Sequence, residues 1–188
     1  MPMTFSKKGD QGFTSLMGGQ IIPKCDAWPE TYGTIDEASS ALGLARASST
    51  RPKTQEVILS LQKDLLLLGA ELATASEDEA KFPYRITGSH VERLEQWIEE
   101  LQKEVTLQKE FVFPGKTIAG AAIDLARTIV RRAERNAVRL MQEKIIANED
   151  VLRFLNRLAD LLFTLARYEE EATGIIFLES KKELKNGK

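Results

Sequence analysis

The residues best suited to chemistry lie in one charged stretch, residues 124–139, which reads DLARTIVRRAERNAVR. Wound as a helix at about 100° per residue, the stretch gathers most of its charged side chains within roughly a quarter of the circumference. These side chains are Asp124, Arg127, Arg131, Glu134 and Arg135. One interpretation is an ordinary solvated face with charge pairs three and four residues apart, and periodicity alone favours it. The other is a polyanion site, because arginines bind phosphates through charge-assisted hydrogen bonds.

The opposite side of the same helix is apolar. It is predicted to face the core through Leu125, Ile129, Ala133, Ala137 and Leu140. A helix of this kind would use one face to fold and leave the other for a ligand or for solvent.

The N-terminal 26 residues differ from the rest of the chain, since they hold four of its twelve glycines. Glycine lets a loop turn and present its N–H groups to an anion. A frayed terminus is the alternative, but it would have no need of apolar residues such as Phe13, Leu16 and Ile22. Composition leaves both interpretations open.

The remaining chain predicts five amphipathic helices with short connections and no convincing set of strands. Asp26, Ser89 and Asn148 are the expected caps of the first, third and fifth helices. The helices are expected over about 26–49, 54–74, from 89, 117–144 and 148–171. Leu65–Leu68 is apolar nearly all round, which favours a buried position. The fold class is therefore an all-α, five-helix antiparallel bundle.

Composition limits the functional classes. A chain of 188 residues, 43% hydrophobic and 29% charged, fits one soluble domain. A net charge of −2 argues against nucleic-acid binding. Cys25 is the only cysteine, which fits a reducing compartment. The sequence shows no signal-peptide pattern and no apolar run of membrane-spanning length, so a cytoplasmic location is expected.

Several familiar active sites are excluded by residue type. The sole histidine, His90, has no partner for a di-iron, zinc or serine-hydrolase site and is expected at the surface. Gly115-Lys116-Thr117 resembles the end of a P-loop, but Glu110 stands where that motif requires glycine. Phosphate chemistry without a P-loop remains, with Glu134 able to hold Mg²⁺ or orient an arginine. Asn156 and Arg157 add polar groups on a neighbouring helix.

Three sequence blocks carry a resemblance to a known family. They are SKKGDQGFTSLMGG with Lys24 and YGTIDEASSALGLAR, then FVFPGKTIAGAAIDLARTIVRRAER, and finally LRFLNRLADLLFTLAR. In this order the chain resembles the PduO-type ATP:cob(I)alamin adenosyltransferases. The resemblance implies a homotrimer that binds ATP and the corrinoid between subunits. It also implies transfer of the 5′-deoxyadenosyl group from ATP to cob(I)alamin, with release of triphosphate.

The resemblance also assigns roles to residues. The expected catalytic residues are Arg131, Phe111, Arg127 and Asp36. Among them, Arg127 would pair with Asp36 of the adjacent subunit, and Phe111 would occupy the lower face of the corrin. Glu134 would contact Mg²⁺ or orient an arginine. The implied ATP-binding residues are Ser6, Lys7, Lys8, Gly9, Thr14, Ser15, Lys24, Arg131, Arg132, Ala133, Glu134, Arg135 and Asn156. Within one domain, residues 1–26 would form the ATP loop, about 27–171 the bundle, and about 172–188 a C-terminal tail.

The chain departs from the family pattern at three positions: Lys8 replaces a threonine, Lys116 replaces the second glycine of Pro-Gly-Gly, and Ala159 replaces a common serine. Three functions therefore remain as alternatives. The first is the adenosyltransferase, served by a reductase and an adenosylcobalamin-dependent client enzyme. The second is a non-catalytic ATP- or corrinoid-binding delivery protein of the same fold. The third is a purely structural bundle.

Overall fold

The computed structural model describes residues 7–105 and 112–171, apart from the side chain of Lys8. Ser6, Phe111 and the predicted tail 172–188 lie outside the described residues. Within these ranges the chain is mostly helical and confirms the predicted five-helix fold. The helices are α1 (Ala27–Ser48), α2 (Pro52–Leu72), α3 (Gly88–Gln102), α4 (Ile118–Gln142) and α5 (Glu149–Glu170). None of the helices in this part of the chain has the length and apolar character needed to cross a bilayer.

Most helices begin where a side chain can satisfy their free N–H groups. Asp26 accepts from the Trp28 backbone N–H at 2.9 Å, and Asn148 accepts from that of Asp150 at 3.2 Å. Both predicted caps are thus confirmed. Thr117 caps α4 by accepting from Gly120 N at 2.9 Å, while α2 begins with Pro52, which needs no N–H partner there.

The predicted cap of α3 was wrong by two residues. Thr87, rather than Ser89, is the cap, and it forms a capping box with His90. The Thr87 backbone N–H donates to His90 Nδ1 at 3.1 Å. The helix begins at Gly88, so Ser89 already lies in its first turn, and the only histidine has a structural partner.

The expectation of no strands was also incomplete. β1 (Phe13–Ser15) and β2 (Ile21–Pro23) pair antiparallel, with Thr14 opposite Ile22. Strands of three residues are too short for an alternating pattern to reveal them. Gly19, at φ +94°, provides the left-handed backbone needed in the turn between them.

This small sheet packs against the C-terminal end of α2 and the residues that follow it. Leu16 is buried, and the Met17 backbone N–H donates to the carbonyl of Ala73 at 2.9 Å. Gln20 Nε2 donates to the buried Asp78 carboxylate at 2.6 Å. Gly18 permits this close approach, because an added Cβ would lie 1.7 Å from Asp78 Oδ2.

The core is built from leucine, isoleucine and alanine side chains of all five helices. α1 packs against α2 and α4, and α5 packs against α4 and α3. α4 therefore lies between two neighbours, and its inward-facing residues Ile129, Ala133, Ala137 and Leu140 are buried as predicted.

Three side chains depart from the predicted faces. Leu125 was expected in the core but is 52% exposed, and Leu66, within the apolar run of α2, is 76% exposed. Asp124 was assigned to the charged face but is only 3% exposed. The reason is its partner on α5, because Arg167 compensates the buried carboxylate and lets this position of α4 turn inward.

Candidate functional site

A cavity of about 380 Å³ opens between α3, α4 and α5. Its most distinctive feature is the convergence of Arg127 and Arg131 from α4 with Arg157 from α5. Phe163 and Ile98 add apolar lining beside these charges. The arrangement combines cationic groups with an aromatic wall, which suits a ligand that is both anionic and partly apolar.

Arg127 is bonded to a residue of its own helix. Its Nε donates to Asp124 Oδ1 at 3.0 Å, and its guanidinium lies 5.9 Å from the centre of the Phe163 ring. The expected partner, Asp36, lies exposed on α1 and lines a separate cavity of about 410 Å³ between α1 and α2. Because the two residues line different cavities of one chain, their pairing requires a second copy and stays a prediction.

The run of arginines on α4 divides into different environments. Arg131 lines the cavity, Arg132 forms an ion pair with Glu37 of α1, and Arg135 donates to the Arg131 carbonyl at 2.9 Å. Ala133 is fully buried in the core. Among the described residues no carboxylate pairs with Arg131, so its guanidinium is available to an anion.

Arg157, by contrast, is neutralised within the chain. Its Nε donates to Glu95 at 3.1 Å and its Nη1 donates to Asp160 at 2.9 Å. Arg157 therefore adds hydrogen-bond donors to the cavity with less free charge than Arg131.

Glu134 and Asn156 are brought together from two helices, as the polar positions suggested. Asn156 Nδ2 donates to Glu134 Oε1 at 3.0 Å. Among the described residues, no group of three or more histidine, cysteine or acidic side chains is placed to hold a metal. Magnesium bound with a nucleotide takes most of its ligands from phosphates and water, and one carboxylate such as Glu134 fits that mode.

The N-terminal candidates form a second group. Lys7 and Gly9 belong to a short 3₁₀ helix, and Thr14 and Ser15 lie on β1. Lys24 folds back on this turn, since a Cβ added to Gly9 would lie 2.7 Å from the Lys24 amine. Gly9 and Lys24, fifteen positions apart in the sequence, are therefore neighbours.

Residues that the sequence reasoning did not select lie directly behind the cavity. Arg167 and Glu170 on α5 are almost fully buried and bond to each other at 2.9 Å. The available signal was weak, because α5 carries several other charged residues and only the spacing of three positions places Arg167 and Glu170 on one face.

Comparison of the sequence with known protein families identifies the family to which the chain belongs. Residues 4–169 match the family model of cobalamin adenosyltransferase. The chain belongs to the cobalamin adenosyltransferase family. Its predicted resemblance is thereby confirmed, and the members show which ligands accompany this fold.

Two bacterial relatives match nearly the whole chain. A corrinoid adenosyltransferase of Citrobacter freundii is 39% identical over 88% of this chain and 94% of its own length. A corrinoid adenosyltransferase of Bacillus subtilis (strain 168) is also 39% identical, over 91% of this chain and 88% of its own.

Solved structures of this family have the same fold. One is a PduO-type ATP:corrinoid adenosyltransferase from Lactobacillus reuteri, an alanine-for-phenylalanine variant complexed with cobalamin and ATP. It superposes with a TM-score of 0.84 at 34% identity, over 94% of this chain and 99% of that one. A lysine-for-arginine variant from the same organism, complexed with ATP, gives a TM-score of 0.83 at 32% identity, over 94% and 100%.

Proposed function

We propose that this protein transfers the 5′-deoxyadenosyl group of ATP to the cobalt of cob(I)alamin, giving adenosylcobalamin and triphosphate. The observation that carries the proposal is Arg131, an arginine without a carboxylate partner among the described residues, in a cavity shared with Arg127 and Phe163. The similar corrinoid adenosyltransferases support it, because they match over most of the chain.

In this chemistry the protein does not have to supply a nucleophile. Cob(I)alamin as substrate supplies the electron pair that forms the cobalt–carbon bond at C5′ of ATP. The C5′–oxygen bond breaks, and its electron pair leaves with triphosphate. The protein therefore has to align the two substrates, exclude water and stabilise the charge of the departing triphosphate. Arg131, with which no carboxylate in the described part of the chain pairs, is suited to the last task because it lies on a helix.

The ATP site in this proposal joins two parts of the chain. The N-terminal group of Ser6, Lys7, Lys8, Gly9, Thr14, Ser15 and Lys24 would enclose the nucleotide. Arg131, Arg132, Glu134, Arg135 and Asn156, with the backbone at Ala133, would complete it. The adjacency of Gly9 and Lys24 supports the first group, and the Glu134–Asn156 bond supports the second. Mg²⁺ would be held by the phosphates and Glu134, and it would neutralise phosphate charge.

Assembly forms a further part of the proposal. We expect a cytoplasmic homotrimer with its sites between subunits, in which Arg127 meets Asp36 of the neighbour and Phe111 covers the lower face of the corrin. The exposure of Asp36 beside the exposed Leu66 on the α1–α2 surface supports an interface there. The substrate requires a reductase to form cob(I)alamin, and the product would serve an adenosylcobalamin-dependent enzyme.

The decisive experiment supplies chemically reduced cobalamin, ATP and Mg²⁺ without oxygen, and follows the corrin absorption spectrum with and without protein. We expect conversion to adenosylcobalamin only when the protein is present. Binding of ATP and cobalamin without conversion would instead favour the non-catalytic delivery protein.

If the protein is a non-catalytic delivery protein, the departures from the family pattern at Lys8 and Lys116 would be the cause of its lost activity. The variants Lys8→Thr and Lys116→Gly restore the family pattern one position at a time. A gain of activity in either variant from an inactive wild type would locate the loss of function.

A further inference from the structure

A buried charge network lies behind Arg127, between α4 and α5. Asp124 is 3% exposed, Arg167 is 2% exposed and Glu170 is fully buried. Charged side chains are rarely buried so completely, because losing their hydration is unfavourable unless each charge is paired. Together with Arg127, these residues carry two formal positive and two formal negative charges.

The bonds of the network connect in a single line. Arg167 Nη2 donates to Asp124 Oδ2 at 2.5 Å and to Glu170 Oε2 at 2.9 Å. The other Asp124 oxygen, Oδ1, accepts from Arg127 Nε at 3.0 Å. Arg167 therefore fixes the orientation of the carboxylate that holds Arg127.

Phe163 lies close to both arginines. Its ring centre lies 5.2 Å from the Arg167 guanidinium and 5.9 Å from that of Arg127, both within cation–π range. Phe163 and Arg127 line the cavity, whereas Arg167 is buried behind them. Arg167 therefore makes no contact with the cavity and touches its lining through these neighbours.

The other end of the network fixes the start of α4. Glu170 Oε1 accepts from the backbone N–H of Lys116 at 2.9 Å. Gly120 provides the necessary space, because an added Cβ would lie 2.6 Å from Glu170 Cγ and Oε1. The position of Glu170 thus depends on a glycine in the first turn of α4.

We propose that Arg167 is a positioning residue for adenosyl transfer, acting through Asp124 on the Arg127 guanidinium. Asp124 binds the Nε edge of Arg127. Among the described residues no hydrogen bond occupies its Nη1 and Nη2 atoms, which remain available at the cavity. This inference rests on the proposed function, since it assigns Arg127 a part in turnover.

A double-mutant cycle separates positioning from a general effect on stability. Arg167→Met should lower kcat by roughly tenfold to a hundredfold, the scale expected when a catalytic contact is misplaced by about 1 Å. In an Arg127→Ala background the same substitution should have no further effect, because the residue it positions is gone. Effects that multiply across the two sites would overturn the proposal.

Two further variants sharpen the cycle. Arg167→Lys should recover much of the activity, since a single nitrogen atom makes both bonds and an ammonium group can replace it. Arg153→Met makes the same loss of charge at an exposed pair with Asp150 on the same helix, and it should leave kcat unchanged. Equal losses in Arg167→Lys and Arg167→Met would contradict the proposal.

Arg167→Met leaves two buried carboxylates without their partner, so it could fail to fold. In that case Gly120→Ala takes the place of Arg167→Met in the cycle. The added methyl group displaces Glu170 without removing a charge. A readout independent of activity is hydrogen exchange at Arg127 Nε–Hε, measured by ¹⁵N NMR. Exchange should be slow in the wild type and faster in Gly120→Ala, and an unchanged rate would overturn the inference. A wild type that forms no adenosylcobalamin would instead contradict the proposed function.

Discussion

At the residue scale, the arginines of α4 differ in what already binds them. Arg132 is paired with Glu37, and Arg127 is bonded to Asp124. Arg131 lines the same cavity as Arg127, but no carboxylate of the described chain pairs with it. An anion that enters the cavity would therefore gain most from Arg131, because no internal ion pair has to be broken first.

Replacing Arg131 with alanine should lower adenosylcobalamin formation by a hundredfold or more, the order found when a group that stabilises developing charge is removed. The helical circular-dichroism spectrum should not change, because the side chain is exposed. Arg139→Ala is the matched control, since Arg139 is an exposed arginine near the end of α4 paired with Glu143. Near-normal turnover by the Arg131 variant would remove it from the mechanism.

Glu71 provides a prediction on pH. Its carboxylate accepts from Ile86 N at 2.6 Å and from Asn148 Nδ2 at 2.7 Å, at the junction of α2, α3 and α5. Burial raises the pKa of Glu71 above its ordinary value of 4.5, although these hydrogen bonds oppose the rise. The folded state therefore binds protons more tightly here than the unfolded state does.

The sign of the effect follows from that difference. As pH falls through the raised pKa towards 4.5, protonation of Glu71 adds to the free energy of unfolding. Glu71→Gln cannot titrate, so the stability of the wild type relative to this variant should rise between pH 7 and 4.5. Urea unfolding across that range measures it, with Glu56→Gln as an exposed control on the same helix. A relative stability that is constant or falls towards acid pH would show the pKa shift to be absent.

At the element scale, α4 combines two tasks through its position between α1 and α5. Its small buried residues, such as Ala126, Ala133 and Ala137, allow both neighbours to pack closely. Its outward arginines are then held on a helix that cannot easily shift. The beginning of this helix determines their register, and Thr117 is its cap.

Thr117→Ala should reduce the free energy of unfolding by about 1 kcal/mol, because the Gly120 N–H loses its acceptor. Chemical denaturation measures the change. Thr128→Ala removes the same hydroxyl from an exposed position inside α4 and should be neutral or slightly stabilising. If the two variants lose equal stability, the hydroxyl of Thr117 does not act as a cap.

At the scale of the whole molecule, Arg127 and Asp36 line two separate cavities. The arginine cavity opens between α3, α4 and α5, while Asp36 and Leu66 line a different cavity between α1 and α2. A second copy that placed its α1–α2 surface against α4 would bring Asp36 to Arg127. An ion pair partly removed from water by such an interface would be stronger than one at an open surface.

We therefore expect the wild type to sediment as a trimer. On dilution, the Asp36→Asn trimer should dissociate at a higher protein concentration than the wild-type trimer does. Sedimentation velocity over a dilution series measures both. Glu92→Gln, at an exposed position of α3, is the control for loss of one acidic charge. A monomeric wild type would contradict the assembly, and identical dilution behaviour of the two variants would contradict the role of Asp36.

The sequence by itself determined the features that depend on local spacing. Helix periodicity and the caps Asp26 and Asn148 fix where the bundle elements begin, because these signals act within one or two turns. The three motif blocks identified the family, and with it the residues proposed to bind ATP. The polar positions on two neighbouring helices suggested a shared site, whereas the bond between Glu134 and Asn156 is a finding of the structure.

Only the tertiary structure decided the features that depend on distant partners. The spacing of α4 placed Asp124 with the arginines and Leu125 in the core, yet Asp124 is buried and Leu125 is exposed. The reason is Arg167, forty-three positions later, which offsets the loss of hydration of the buried Asp124 carboxylate. A periodic pattern predicts the faces of a helix but not the neighbouring helix that each face contacts. That neighbour determines whether a charged residue on the face finds a partner of opposite charge and can be buried.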